Sequence, residues 1–241
     1  MKVLFNQIQC RPYITPLIPF RVRNQPNDNY WKQQMECDCC PYAAANAVRR
    51  LGIKDDEAKM IRELSEKFKL SEKGVTSENL CVGLEEYLKS KGCIGNVQYC
   101  GFRQIDKKYK FTDKPTPALS WIKAEMENGK QIILSIGVYK KELVDGKPVY
   151  TRQYGHDVNV AGYGIEPMGL TIFDPYGENP DKLNIRLSQI KEGEFVHNKD
   201  DNEELPVTDD AKGFYEITPK FSYFNPDEIA VLNGAFSIRI N

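Results

Sequence analysis

Histidine, long apolar runs and any surplus of charge are what this sequence of 241 residues has little of. No apolar stretch approaches the roughly 18–20 residues that a bilayer-spanning helix needs, so no membrane span is expected. The 33 basic side chains are matched by 34 acidic ones, a net charge of −1. A polyanion binder usually carries a basic surplus on one face, so nucleic acid is not an expected partner. The 14 prolines and 17 glycines are too few for a low-complexity or collagen-like chain. The opening Met1-Lys-Val-Leu-Phe-Asn-Gln7 is interrupted too soon for a secretory apolar segment, and no Asn-x-Ser/Thr acceptor occurs. Cysteine is not scarce, but its number is odd. There are seven, in a chain long enough to bury a core without disulfide staples. Reduced thiols and a cytoplasmic setting are expected, with an exported effector or a trimmed signal as the alternative.

What is present divides the chain. Residues 1–30, rich in Pro, Asn and Gln, read as an extended arm. Pro41 opens an alanine-rich run that ends at Gly52, the pairing of start and stop signals that marks a helix. Ala58, Ile61, Leu64 and Phe68 recur at helical spacing over Asp55–Lys69, and Leu80, Leu84, Tyr87 and Leu88 do so over Ser77–Lys91. A further helix is predicted over Pro117–Asn128, with Thr116 as its N-cap and Gly129 as its terminator. After Gly129 the period changes. Gln131–Val138, Val149–Gln153, His156–Tyr163, Leu170–Phe173, Gly213–Thr218 and Ala230–Ile240 read as strands, with turns at Asp145-Gly146 and Glu166–Gly169. Asn198–Asp210 is acidic and reads as a solvated loop. Helices first and strands second argue the α+β class, with helices packed on an antiparallel sheet.

The sharpest chemical signal is Gln33-Gln34-Met35-Glu36-Cys37-Asp38-Cys39-Cys40-Pro41, which places thiols where a helix begins. The partial positive charge and unpaired N–H groups of a helix N-terminus favour a thiolate, the form that attacks carbonyl carbon. Glu36 and Asp38 oppose that shift, because neighbouring carboxylates disfavour a second negative charge. An imidazolium would have to outweigh them. Only His156 and His197 are available. His156 follows Gly155 at the start of a strand with alternating apolar residues, and the glycine would allow close approach. A lone histidine is usually structural, and Asp174, before Pro175, is of a type that usually forms a turn. Two neighbouring strands joined by a turn would nevertheless set Asp174 beside His156, where a carboxylate orients the ring.

The order Gln33, Cys39, His156, Asp174 resembles the papain-like cysteine peptidases, and the local strings look most like the bacterial branch that includes the bacteriocin leader peptidases. Those strings stand here as Gln33, Asp38-Cys39-Cys40-Pro41, Leu51-Gly52, Gly155-His156, Gly162-Tyr163 and Asp174-Pro175. The resemblance covers roughly 30–178. It implies a papain-like fold in a single domain over 1–241, with a catalytic core over 31–178 and C-terminal strands and the acidic loop over 179–241. The helical half would carry the nucleophile and pack on a twisted antiparallel sheet. It also implies Cys39 as nucleophile, His156 as base and then acid, and Asp174 as the residue orienting His156. The Gln33 side-chain amide, with Gln34 as fallback, would join the Cys39 backbone N–H in binding the oxyanion. The sequence departs from the family pattern at Cys40, which stands where the family has glycine. Cys40 is an alternative nucleophile, and Cys37 or Cys40 could protect Cys39 as a disulfide.

Several readings of the same residues stay open. The Cys37-x-Cys39-Cys40 cluster lacks a second Cys-x-x-Cys to complete tetrahedral zinc, so neither a metal nor any other cofactor is expected. Cys81, Cys93 and Cys100 read as buried small apolar residues, His197 as a surface residue, and Trp31 and Trp121 as core or cleft-wall aromatics. The expected function is cysteine-dependent hydrolysis of amide bonds through a thioester, with a peptide or protein as substrate. Glutamine deamidation or acyl transfer on the same triad is the alternative, and an inactive binding protein the second. Oligomeric state is left open.

Overall fold

The computed structural model describes residues 20–22, 30–35, 37–164, 169–176, 182–197 and 208–241. Most of the expected N-terminal arm and acidic loop, and most of the turn expected at 166–169, lie outside the described residues. Three helices come first: α1 (Cys39–Arg50), α2 (Glu57–Lys67) and α3 (Ser77–Ser90). The α2 N-cap is Asp56, whose carboxylate accepts from Lys59 N–H, and the α3 N-cap is Thr76, whose hydroxyl accepts from Asn79 N–H. Each satisfies one of the N–H groups that a helix start leaves without a partner. α4 (Leu119–Glu127) begins at Ala118 with no side-chain cap, rather than at the Thr116 cap that the sequence suggests.

α1 begins two residues before Pro41, at Cys39. Its Ala43, Ala44, Ala45 and Ala47 are all fully buried. Alanine here is more than a good helix former. Its small side chain lets α1 lie close between α2 on one side and the sheet on the other.

The strands are β1 (Phe20–Val22), β2 (Gly95–Gly101), β3 (Gln131–Val144), β4 (Lys147–Gly164), β5 (Gly169–Phe173), β6 (Leu183–Gln189), β7 (Glu194–Val196), β8 (Tyr215–Thr218) and β9 (Glu228–Ile240). β3 and β4 form one long hairpin, turned at Asp145 and Gly146, which both have positive φ, as a two-residue hairpin loop requires. β4 pairs with β3 on one side and β5 on the other. The order β4-β3-β9-β8-β6-β5 therefore returns to β4 and closes a ring of antiparallel strands. Apolar residues of alternate positions fill it: Leu134, Ile136 and Val138 of β3, Val158 and Val160 of β4, Leu170 and Ile172 of β5, with Trp121 and Ile122 of α4. The opposite face, with Ile133, Phe236 and Ile238, packs against α1, α2 and α3.

The expected papain-like α+β fold, with helices on a twisted antiparallel sheet, is corrected by this arrangement. The architecture is mixed α/β, with 40% strand against 24% helix among the described residues. Its nine described strands form one sheet that is mixed, because β7 runs parallel to β4 with Tyr150 opposite Phe195. The physical reason lies in Phe195, which is buried with Phe102, Tyr139, Tyr150 and Phe214 in an aromatic cluster of its own. Burying Phe195 there holds β7 against β4, and the pairing is parallel. Cys100 lies on a strand as expected, in β2, whereas β6 and β7 were not among the strands expected, and the two strands expected at 149–153 and 156–163 are one. Among the described residues no helix is long and apolar enough to cross a membrane.

A buried hydrogen bond ties the helix that carries Cys39 to the strand that carries His156: Asn159 Nδ2 of β4 donates to the Ala43 carbonyl of α1, at 2.8 Å. Asn159→Ala should lower the unfolding free energy by about 1–3 kcal/mol. It should also slow reactions at Cys39 beyond the loss of folded protein. Denaturant melts and alkylation rates measured on the folded fraction check both, and an unchanged alkylation rate would show that the bond does not align the two elements.

Candidate active site

Cys39 is the first residue of α1 and is half-buried. Its backbone N–H belongs to the turn whose donors have no intrahelical acceptor, and Pro41, in the same turn, contributes no donor at all. Asp38 caps the helix through its backbone: its carbonyl accepts from Tyr42 N–H at 3.1 Å, and its side chain makes no capping bond. The Asp38 carboxyl is buried, and burial pushes its pKa up, against the smaller lowering effect of its bond with Met35. The negative charge expected there to oppose a thiolate is thus itself disfavoured. Glu36 lies outside the described residues.

His156 stands on β4 opposite Ile136 of β3 and is 7% exposed. Its Nε2 lies 2.7 Å from Asp174 Oδ1. Cys39 lies close enough to the same ring to act on it electrostatically. With Nε2 taken by the carboxylate, Nδ1 is the nitrogen left to meet sulfur. Burial alone would lower the imidazole pKa, but Asp174 and Cys39 outweigh it and push it up to about 10. The pairing of β4 with β5 is what brings the two strands' residues together. Phe173 lies opposite Asn159, so Asp174 leaves the end of β5 within reach of His156.

Two further residues hold the carboxylate, and neither was singled out from the sequence. Tyr223 donates its hydroxyl to Asp174 Oδ2 at 2.6 Å, and Tyr176 N–H donates to Oδ1 at 2.9 Å. Burial and the neighbouring carboxylate raise the Tyr223 pKa, which keeps the hydroxyl a donor. The rings of Tyr176, Phe221 and Tyr223 all present themselves edge-on to the imidazole. Asp-Pro-Tyr at 174–176 reads as a turn, and the Tyr176 bond is that turn. No sequence signal links Tyr223 to a residue 49 positions earlier.

Gln33 is brought to the same corner by its backbone. Its N–H donates to the Pro175 carbonyl at 3.0 Å. Nearby, Tyr30 stacks on Phe173 with ring centroids 3.9 Å apart. Trp31 exchanges two hydrogen bonds with Asn46 of α1, and its ring lies under the Arg49 guanidinium. The Gln33 side-chain amide, however, donates to the Met35 carbonyl at 3.0 Å and does not line the cavity beside Cys39. Gln34, its fallback, is exposed.

The flanking cysteines separate in role. Cys40 is buried, and burial together with Asp157 raises its pKa well above the ordinary thiol value, so it is poorly suited as nucleophile. Cys37 Sγ donates to the Glu72 carbonyl at 3.2 Å, and among the described residues none of the three cysteines of the cluster is joined in a disulfide. Cys81 and Cys100 are buried, whereas Cys93 is only partly so. Trp121 is a core residue stacked on Phe111. His197 is not the surface residue expected: its side chain is 14% exposed, lies 3.5 Å from Asp209 and faces Phe102. Among the described residues, no three His, Cys, Asp or Glu side chains converge as a metal site.

The raised imidazole pKa makes two signed predictions. A group held above its unfolded value of about 6.5 contributes stability that is complete below that pH and disappears as pH rises through the folded value. Wild-type Tm should therefore fall between about pH 6.5 and about 10 relative to His156→Gln. In Asp174→Asn the carboxylate no longer outweighs burial, so the ring should titrate well below the wild-type value. Proton NMR of His156 reads this directly, and equal titration in both proteins would refute the assignment.

No protein-family model matches this chain, and no curated protein matches it.

Proposed function

We propose that this chain is a cysteine-dependent hydrolase of amide bonds, with peptides as substrates, working in a reducing compartment such as the cytoplasm. One observation carries the reading: a single buried imidazole is bonded to the Asp174 carboxylate and shares a pocket wall with Cys39, close enough for each to favour the charged ring. The ordered strings around Gln33, Cys39, His156 and Asp174, with their resemblance to cysteine peptidases, support the same conclusion.

In this mechanism the Cys39 proton already rests on the charged His156 ring, and the sulfur attacks the carbonyl carbon. The carbonyl oxygen takes the negative charge, and the Cys39 backbone N–H at the start of α1 donates to it. The C–N bond then breaks as His156 protonates the leaving amine, which leaves an acyl group on sulfur. Water attacks this thioester, giving its proton to His156, and releases the acid and the free thiol. Asp174 stays ionised throughout and holds the ring, and Tyr223 and Tyr176 hold Asp174.

Alkylation with iodoacetamide across pH tests the pair. Cys39 should react fastest of the described cysteines near pH 6, by about tenfold or more, and His156→Ala should abolish that advantage. Slow, uniform labelling of all thiols would favour a binding protein instead. A mixed peptide library read by mass spectrometry then identifies the acceptor. Cleavage distributes about 18 Da of water between two fragments, whereas deamidation adds about 1 Da to an intact peptide.

A further inference from the structure

Two partly exposed thiols share one small cavity. Its volume is about 70 Å³, and Cys37, Cys39 and His156 all stand in its wall. Cys37 and Cys39 are each only partly buried, so a small solute can reach them. Cys40 also touches the cavity, but it is 2% exposed and packs in the apolar core with Cys81. The Glu72 carbonyl accepts from Cys37 Sγ, and the neighbouring Lys73 and Gly74 line the same space.

The residue between the two thiols fixes their separation. Asp38 has φ −85° and ψ 1°, which sets the two successive Cα–Cα vectors at roughly a right angle. With consecutive Cα atoms about 3.8 Å apart, the Cα atoms of Cys37 and Cys39 then lie about 5.5 Å apart. A disulfide spans about 4.4–6.8 Å between Cα atoms, most often near 5.5–6 Å. Cys39 and Cys40 are consecutive, so their Cα atoms are about 3.8 Å apart, too close for that span. Of the two neighbours of Cys39, Cys37 is therefore the one whose backbone already stands at bonding distance. Turning its side chain from the Glu72 carbonyl toward the cavity completes the approach.

We propose that Cys37 is the resolving thiol of a redox switch: hydrogen peroxide oxidises Cys39, and Cys37 closes a disulfide on it that silences the nucleophile reversibly. This inference rests on the Cys39 thiolate of the hydrolase reading above and assigns a regulation to it. The Cys39 sulfur attacks one peroxide oxygen, the S–O bond forms as the O–O bond breaks, and the leaving hydroxide takes the His156 proton to depart as water. The Cys37 sulfur then attacks the sulfenic sulfur. The S–S bond forms, the S–O bond breaks, and the second hydroxide leaves as water with the Cys37 proton. Two thiols and one peroxide become one disulfide and two waters, the electrons lost by sulfur reducing the peroxide oxygens. A dithiol reductant reverses the bond by exchange.

Mass spectrometry of the whole chain after peroxide tests the switch. The reduced protein is treated with hydrogen peroxide, unfolded in iodoacetamide and cut with trypsin, which releases 33–49 as one peptide carrying Cys37, Cys39 and Cys40. The wild-type peptide should lose about 2 Da at Cys37 and Cys39 and carry its single carbamidomethyl group on Cys40. Fragment ions separate this from oxidation of the exposed Met35. Fast labelling of Cys39 in the folded protein should disappear with the disulfide, and dithiothreitol should restore it. In Cys37→Ser the sulfenic acid lacks its resolving thiol and proceeds to the sulfinic acid, so the labelling recovered by dithiothreitol should fall by about fivefold or more. The wild-type peptide reports even where that variant does not fold. A disulfide from Cys39 to any other cysteine, sulfinic acid on wild-type Cys39, no oxidation at all, or full recovery in Cys37→Ser overturns the switch, and a fast-labelling reduced Cys39 then leaves the hydrolase reading standing. Slow labelling of reduced Cys39 overturns that reading, and the switch with it.

Discussion

The double pairing of β4 is the constraint on which the rest of the molecule depends. One edge of that strand is bonded to β3 and the other to β5, and through β5 the sheet closes on itself. Closure removes sheet edges and seals an apolar interior. It also leaves β4 no freedom to slip, because a shift of one residue would exchange Val158 and Val160 for Asp157 and Asn159 inside that core. The same alternation points Asp157 and Asn159 toward α1, where they meet Cys40 and the Ala43 carbonyl. Stability and site geometry are thus set by one register.

Electrostatics in the site run against burial. An imidazole at 7% exposure would ordinarily be neutral. Here the Asp174 carboxylate and Cys39 favour the charged ring strongly enough to reverse that tendency. Asp174 remains available for this task because Tyr223 and Tyr176 donate to it, and because Gln33 and Tyr30 pack against the turn that carries it. Arg103 and Arg152 line the same pocket as His156. A buried cluster holding opposite charges in such proximity is a costly way to build a core.

Much of this corner was legible in the chain. A cysteine where a helix starts, a histidine after glycine and an aspartate before proline follow from the chemistry each position favours, and all three meet. The helices were legible too, because a 3.6-residue period and capping residues are local signals. Less legible were the partners. Gln33 was expected to aim its amide at the oxyanion, and it bonds the Met35 carbonyl instead, a choice made by the local path of 33–38. Tyr223 carried no signal, since it reaches Asp174 only after β6, β7 and β8 have been threaded.

Alternation and capping by themselves therefore determined where helices and most strands lie, which faces are apolar, and which few side chains have the chemistry of a nucleophile, a base and its orienting acid. Such properties depend on neighbours within a turn or two of chain. Only the tertiary structure decided that the sheet closes, that β7 joins β4 in parallel, and that Cys40 is shut away while Cys39 faces the ring. It also decided that two arginines line the same pocket as the histidine. Strand pairing, burial and desolvation are set by contacts between segments distant in sequence, and a one-dimensional period carries no record of which segment will arrive or from which direction.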